Sequence, residues 1–135
     1  MADESVRYER GRDVILEVWG PEEGAAILDR WRELSPELER QIVEYMYGDR
    51  WTLPAPAPDL KTRSLIHVAT LTALGRATQL RVHLVGALRN GNTEREIVET
   101  ILQVGLLAGF PTSWDALAAC NEVFAEQRKP SENGS

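Results

Sequence analysis

Apolar residues recur at three- and four-residue intervals along almost the whole chain, and that period fits helices rather than strands. Over residues 8–19, Val14, Ile15, Val18 and Trp19 form one apolar stripe, which Gly20-Pro21 stops. Pro21 and Glu22-Glu23 suit the first turn of a second helix with Ala25, Ile27, Leu28 and Trp31 on its apolar face. Ser35-Pro36-Glu37 predicts a third start. The serine oxygen caps free amides, the proline sits where no donor is needed, and the acid complements the helix dipole. That helix carries Leu38, Ile42, Val43, Tyr45 and Met46 and is expected to end near Gly48.

Residues 53–58 read L-P-A-P-A-P. A proline at every second position removes amide donors and disfavours helix for the residue before it, so this is an extended connector. It reads as a surface loop within one domain, because neither side alone shows a convincing independent core. Asp59 is the expected cap of a helix through Leu65, Ile66, Val68, Ala69, Leu71 and Leu74 to Gly75. A further helix over 78–90 is closed by Gly91, a good left-handed terminator. Thr93-Glu94-Arg95-Glu96 has capping-box spacing and opens a helix with Ile97, Val98, Ile101, Leu102, Val104, Leu106 and Leu107. The second half of that helix is apolar almost all round, which predicts burial on every side, part of it against another subunit. Gly109-Phe110-Pro111 breaks it, a last helix covers 112–126, and the polar tail from Gln127 is expected to fray. The expected fold is an all-α, single-domain helical bundle over residues 1–135, with its core in about 8–125.

A hydrophobic fraction of 43% argues against disorder, and a net charge of −6 gives no reason to expect nucleic acid or an anionic membrane as partner. A small acidic substrate stays open, because a pocket can be locally basic in an acidic protein. Cys120 is the only cysteine, so no intrachain disulfide, C-x-x-C redox pair or cysteine-rich zinc site can form. The charged start of the chain has no signal-peptide core, and no apolar run is long enough to span a bilayer; a cytoplasmic location is expected.

The stretch 48–91 opens with Gly48-Asp49-Arg50-Trp51-Thr52-Leu53-Pro54 and Asp59-Leu60-Lys61-Thr62-Arg63-Ser64-Leu65. Ala73-Leu74-Gly75-Arg76, the pair Leu80 and His83, and Ala87-Leu88-Arg89-Asn90-Gly91 follow. Thr93, Glu96, Ile97, Glu99, Gly109-Phe110-Pro111 and Glu122-Val123-Phe124 complete the series. In order and spacing these resemble the carboxymuconolactone decarboxylase family over about residues 8–125. The resemblance implies a helical bundle that assembles into rings, commonly trimers or hexamers. The family's redox branch, similar to the D component of the alkyl hydroperoxide reductase system, has a C-x-x-C pair before the family histidine and a glutamate some turns earlier. Counted back from His83, those cysteines fall on Arg76 and Gln79 and the glutamate on Ser64, so the chain resembles the decarboxylase branch instead. It departs from that branch at Gln79, where a glutamate is usual, at Val85, where an arginine often stands, and at Gln103, in place of a common histidine. The Pro-rich loop between Trp51 and Arg63 is also longer than usual.

Decarboxylation without a cofactor needs a cation to hold carboxylates, a conjugated carbonyl to receive electrons, and a proton donor for the carbanion-like intermediate. In a carboxylated muconolactone the lactone ring supplies the electron sink. His83 lies among Leu80, Val82, Leu84 and Ala87. Periodicity alone reads it as a core or subunit-contact histidine, while the resemblance assigns it the proton transfer, for which a near-neutral pKa is suited. Arg63 and Arg76 are candidate carboxylate clamps, with a surface ion pair or a helix-end charge as the alternative for each. Gln79, four residues before His83, shares its helix face and is placed to orient the imidazole or touch substrate. Ser64, beside Arg63, joins the substrate-binding candidates. Trp51 and Trp114 sit at loop–helix junctions, as pocket walls or as core plugs. His67 reads as a packed or interface histidine. Two histidines without acids or cysteines at ligand spacing make no metal site, and none is expected. Glu96 and Glu99 read as cap and surface charges, and Cys120 as a small buried hydrophobe.

These readings favour a cofactor-independent decarboxylase of a small carboxylated lactone or related conjugated acid, working as a homo-oligomer. The alternatives are a lactone or keto-acid isomerase of secondary metabolism, and a non-catalytic ligand-binding or assembly protein that retains the fold. A peroxidase based on Cys120 ranks last, because the chain holds no resolving thiol.

Overall fold

The computed structural model of the chain describes residues 4–130, and every regular element among them is helical. The chain divides into two compact units, Met1–Leu60 and Lys61–Ser135. No helix among the described residues is long and apolar enough to cross a membrane.

The first unit holds α1 (Glu4–Trp19), α2 (Pro21–Leu34), α3 (Pro36–Gln41) and a π-helical stretch, Ile42–Arg50, that continues α3. Ser35 caps α3 as the sequence predicts, its hydroxyl accepting from the Leu38 amide at 3.2 Å. α1 lies along the π-helical stretch at a separation that only glycine permits. A Cβ on Gly11 would sit 1.9 Å from the carbonyl oxygen of Val43, and one on Gly48 would sit 2.5 Å from that of Arg7. Arg7 grips Asp49 with two hydrogen bonds, of 3.1 and 2.7 Å, and Arg10 reaches the Gly48 carbonyl at 2.7 Å. Tyr47 is buried at the centre of an aromatic group, with ring centroids at 5.7 Å from Trp19, 6.2 Å from Trp31 and 4.8 Å from Trp51. These rings form an apolar centre within the first unit.

The second unit is built from α4 (Leu60–Leu74), α5 (Ala77–Arg89), α6 (Glu94–Ala108) and α7 (Phe110–Arg128). Its core gathers Val68 of α4, Leu80, Leu84 and Ala87 of α5, Ile97 and Ile101 of α6, and Ala116, Ala119, Cys120, Val123 and Phe124 of α7. Gly91 ends α5 at φ 96°, a conformation that side chains disfavour. Thr93 caps α6 by accepting from the Glu96 amide at 3.0 Å. The α6–α7 contact is close enough that a Cβ on Gly105 would fall 2.2 Å from the Ser113 hydroxyl, which donates to the Ile101 carbonyl at 2.8 Å.

Within the chain, Ile97, Ile101 and Gly105 of α6 face inward, while Leu102, Leu106 and Leu107 are exposed. One expectation is revised. The tail expected to fray from Gln127 is helical as far as Arg128, which pairs with Glu94. Residues 131–135, like the first three, lie outside the described residues.

The Gly11 contact generates a stability prediction. Alanine in a helix is intrinsically favoured over glycine by about 1 kcal/mol. Gly11→Ala should nevertheless lower stability by about 2 kcal/mol, because the methyl group meets backbone rather than a flexible side chain. Urea denaturation checks it, and a variant at least as stable as the parent would show that α1 can move away without loss.

Candidate active site

Two asparagines in the α5–α6 turn set the start of α4 against the end of α5. The buried Asn92 amide donates to the carbonyls of Lys61 and Ala87, both at 3.1 Å. Asn90 donates to the Ser64 hydroxyl at 2.6 Å. From this junction α4 runs one turn from Arg63 to His67, and α5 leads back one turn from Ala87 to His83. The two imidazoles meet with ring centroids 4.6 Å apart and planes tilted by 38°. Arg63, four residues before His67, shares its side of α4.

Both histidines are partly buried. Burial, and then the neighbouring His67, push the His83 pKa down to about 3. Burial lowers His67 as well, with a further contribution from the Arg63 guanidinium. Desolvation disfavours the charged form of an imidazole, and a nearby cation adds to that effect. At neutral pH the pair is therefore uncharged, instead of titrating near neutrality as expected for His83 from its residue type. The Nε of Arg63 is buried and has no hydrogen-bond partner. An anion placed against the guanidinium and the rings would raise the proton affinity of the imidazoles.

The other predicted site residues are distributed differently. Gln79 is exposed, one turn before His83 on α5. Arg76 is exposed at the start of α5 and lines a cavity whose walls include neither histidine. Ser64 is buried as the acceptor for Asn90, so it holds the helix junction. Trp51 belongs to the aromatic centre of the first unit. Trp114 is 77% exposed on α7 and plugs no core. Cys120 is buried, and burial pushes its thiol up to about 11, which leaves little thiolate at neutral pH. No three His, Cys, Asp or Glu side chains converge to hold a metal among the described residues. His67 is the residue that sequence reasoning assigned to packing and the structure brings to His83.

Residues 36–122 match the model of the carboxymuconolactone decarboxylase family, a span that contains α4, α5 and α6. A 4-carboxymuconolactone decarboxylase of Acinetobacter baylyi is 36% identical over 126 residues, covering 93% of this chain and 92% of that protein. An uncharacterized 15.0 kDa protein from the nqo9-nqo10 intergenic region of Paracoccus denitrificans is 34% identical over 97 residues, covering 70% of this chain and 71% of its own length. A nitrosuccinic acid decarboxylase of Metarhizium robertsii is 30% identical over 83 residues, 62% of this chain and 57% of that protein.

The histidine pair makes stability depend on pH. The unfolded chain takes up a proton at His83 near pH 6.5, whereas the folded chain does so only near pH 3. Stability from this group is therefore complete above pH 6.5 and falls as pH drops toward 3, by on the order of 5 kcal/mol at most. Denaturation midpoints measured between pH 7 and 4 should fall less steeply for His83→Gln than for the parent chain. Parallel profiles would mean that His83 is no harder to protonate folded than unfolded.

Proposed function

This chain belongs to the carboxymuconolactone decarboxylase family, and from that premise we propose that it is a cofactor-independent decarboxylase of a small carboxylated lactone or related conjugated acid. The observation that supports this most is the contact of two uncharged imidazoles, His67 and His83, with the Arg63 guanidinium acting on His67. A carboxylate of the substrate takes the Arg63 guanidinium, whose charge and directed N–H groups suit it. The negative charge raises the proton affinity of His83 and His67, so a proton enters from solvent as the substrate binds. The bond from carbon to the departing carboxylate then breaks, and its electron pair moves into the conjugated carbonyl of the lactone. Carbon dioxide leaves. His83 gives its proton to the carbanionic carbon, and neutral imidazole is restored for the next turnover. His67 modulates that proton through its ring contact with His83. Gln79 stands at the exposed rim and does not take part in the proton transfer.

The working form is proposed to be a homo-oligomer, a trimer or hexamer. Leu106, Leu107, Phe110 and Trp114 are each more than half exposed along the end of α6 and the start of α7, a larger apolar face than a monomer ordinarily leaves to water. Covering it with another copy would complete the burial that the sequence of α6 predicts.

Carbon dioxide release from carboxymuconolactone and a panel of related carboxylated lactones and keto acids tests the reaction. Turnover by the parent chain should fall at least a hundredfold in His83→Ala, and substrate affinity should fall in Arg63→Ala. Near-normal turnover in folded His83→Ala would remove His83 from the mechanism, and no release from any compound would favour a ligand-binding protein. Sedimentation of Leu107→Glu tests the assembly: the variant should shift toward monomer, and an unchanged oligomer would place the interface elsewhere.

A further inference from the structure

Asn92 is a polar residue in a place that ordinarily takes an apolar one. α5 closes with a Schellman turn. Gly91 stands at φ 96°, its amide donates to the Leu88 carbonyl at 3.2 Å, and the Asn92 amide donates to the Ala87 carbonyl at 3.1 Å. The residue in the position of Asn92 commonly packs an apolar side chain back onto the helix it follows. Asn92 instead buries an amide, 4% exposed, whose Nδ2 donates to the Lys61 and Ala87 carbonyls while Oδ1 has no partner. A buried carbonyl oxygen without a donor is a standing cost that an apolar side chain would avoid. What the asparagine supplies in return is its reach to Lys61, on a different helix.

That reach bears on the histidine pair. Ser64, which accepts from Asn90 at 2.6 Å, lies three residues before His67, and Asn90 lies seven after His83. These spacings put the two residues of each pair on one side of their helix or its end. The Asn90–Ser64 and His67–His83 contacts therefore follow one another along a single seam between antiparallel α4 and α5, with Asn92 at its end. His67 is about 9 Å along α4 from Lys61, so a tilt of about 10° at the junction displaces its ring by about 1.5 Å. The ring centroids are only 4.6 Å apart, so a shift of that size remakes the contact.

We propose that Asn92 is a positioning residue for the proton transfer, supported by Asn90, and that it holds α4 at the tilt that brings His67 onto His83. Its effect on rate rests on the decarboxylase reading above; its effect on the rings does not. A misplacement of about 1 Å near reacting groups costs up to about a hundredfold in rate, which is ample for a residue that never touches substrate.

Two measurements on the full chain test this. The first is the nuclear Overhauser effect between the ring protons of His67 and His83, which are the only two histidines and are assigned by their loss in His67→Gln and His83→Gln. The second is the split of kcat and KM for whichever acid the parent decarboxylates. Asn92→Leu keeps the branching of the side chain, removes the donor and the orphaned oxygen together, and supplies the apolar contact usual at this turn. It should fold, lose the effect between the rings, and lower kcat at least tenfold with KM little changed. Asn92→Ala adds no bulk and should do the same, and Asn90→Ala, at a half-exposed position, should weaken the ring contact less. Parental ring contact in folded Asn92→Leu or Asn92→Ala would overturn the proposal. So would lost ring contact with kcat unchanged, because the reaction would then be indifferent to the tilt of α4. If the parent releases no carbon dioxide, the decarboxylase reading fails alone, and the ring signals still decide whether Asn92 sets the pair.

Discussion

The second unit depends on a side-chain amide that substitutes for backbone. Asn92 donates to the carbonyls of Lys61 and Ala87, residues at the beginning of α4 and near the end of α5. The Ala87 carbonyl also accepts the Asn92 backbone amide at 3.1 Å, so this one residue both closes the last turn of α5 and ties it to the start of α4. Asn90 adds a tie to Ser64 one turn farther along α4. With the helices fixed at this end, the side chains one turn in from each meet each other, and those are His67 and His83. The geometry of the site is thus set by polar groups in a turn that are not themselves part of it.

Holding two imidazoles together in a partly buried place selects the uncharged state of both, and the Arg63 guanidinium reinforces the choice at His67. Water is largely removed from the rings before any ligand arrives, so an incoming carboxylate acts on them at a lower effective dielectric. A surface histidine would carry its proton near pH 6 regardless of what bound nearby. In the proposed reaction the ligand's own charge would decide the protonation state, which would link acid–base readiness to occupancy.

Much of the fold is legible in the sequence because helices announce themselves locally. Ser35 and Thr93 cap where their spacing indicates, and Gly20, Gly75, Gly91 and Gly109 stop helices at positive φ. What is not local is less legible. The first unit's aromatic centre joins Trp19, Trp31, Tyr47 and Trp51 from separate elements, so the junction position of Trp51 left pocket wall and core plug both open. The separation of α1 from the π-helical stretch rests on Gly11 and Gly48, neither of which stands at a turn. His83 was visible through family resemblance, but its contact with His67 depends on the pairing of two helices, which no spacing on one helix encodes.

The lone thiol of the chain is placed where it can serve as a clock. Cys120 lies in the core of the second unit, 1% exposed, with its pKa pushed up to about 11. Thiol reagents attack the thiolate, so the folded unit is shielded twice, by access and by ionisation. Labelling must then wait for α7 to swing out from its neighbours, and its rate counts those excursions. A single native residue reports the breathing of one half of the molecule without an engineered probe.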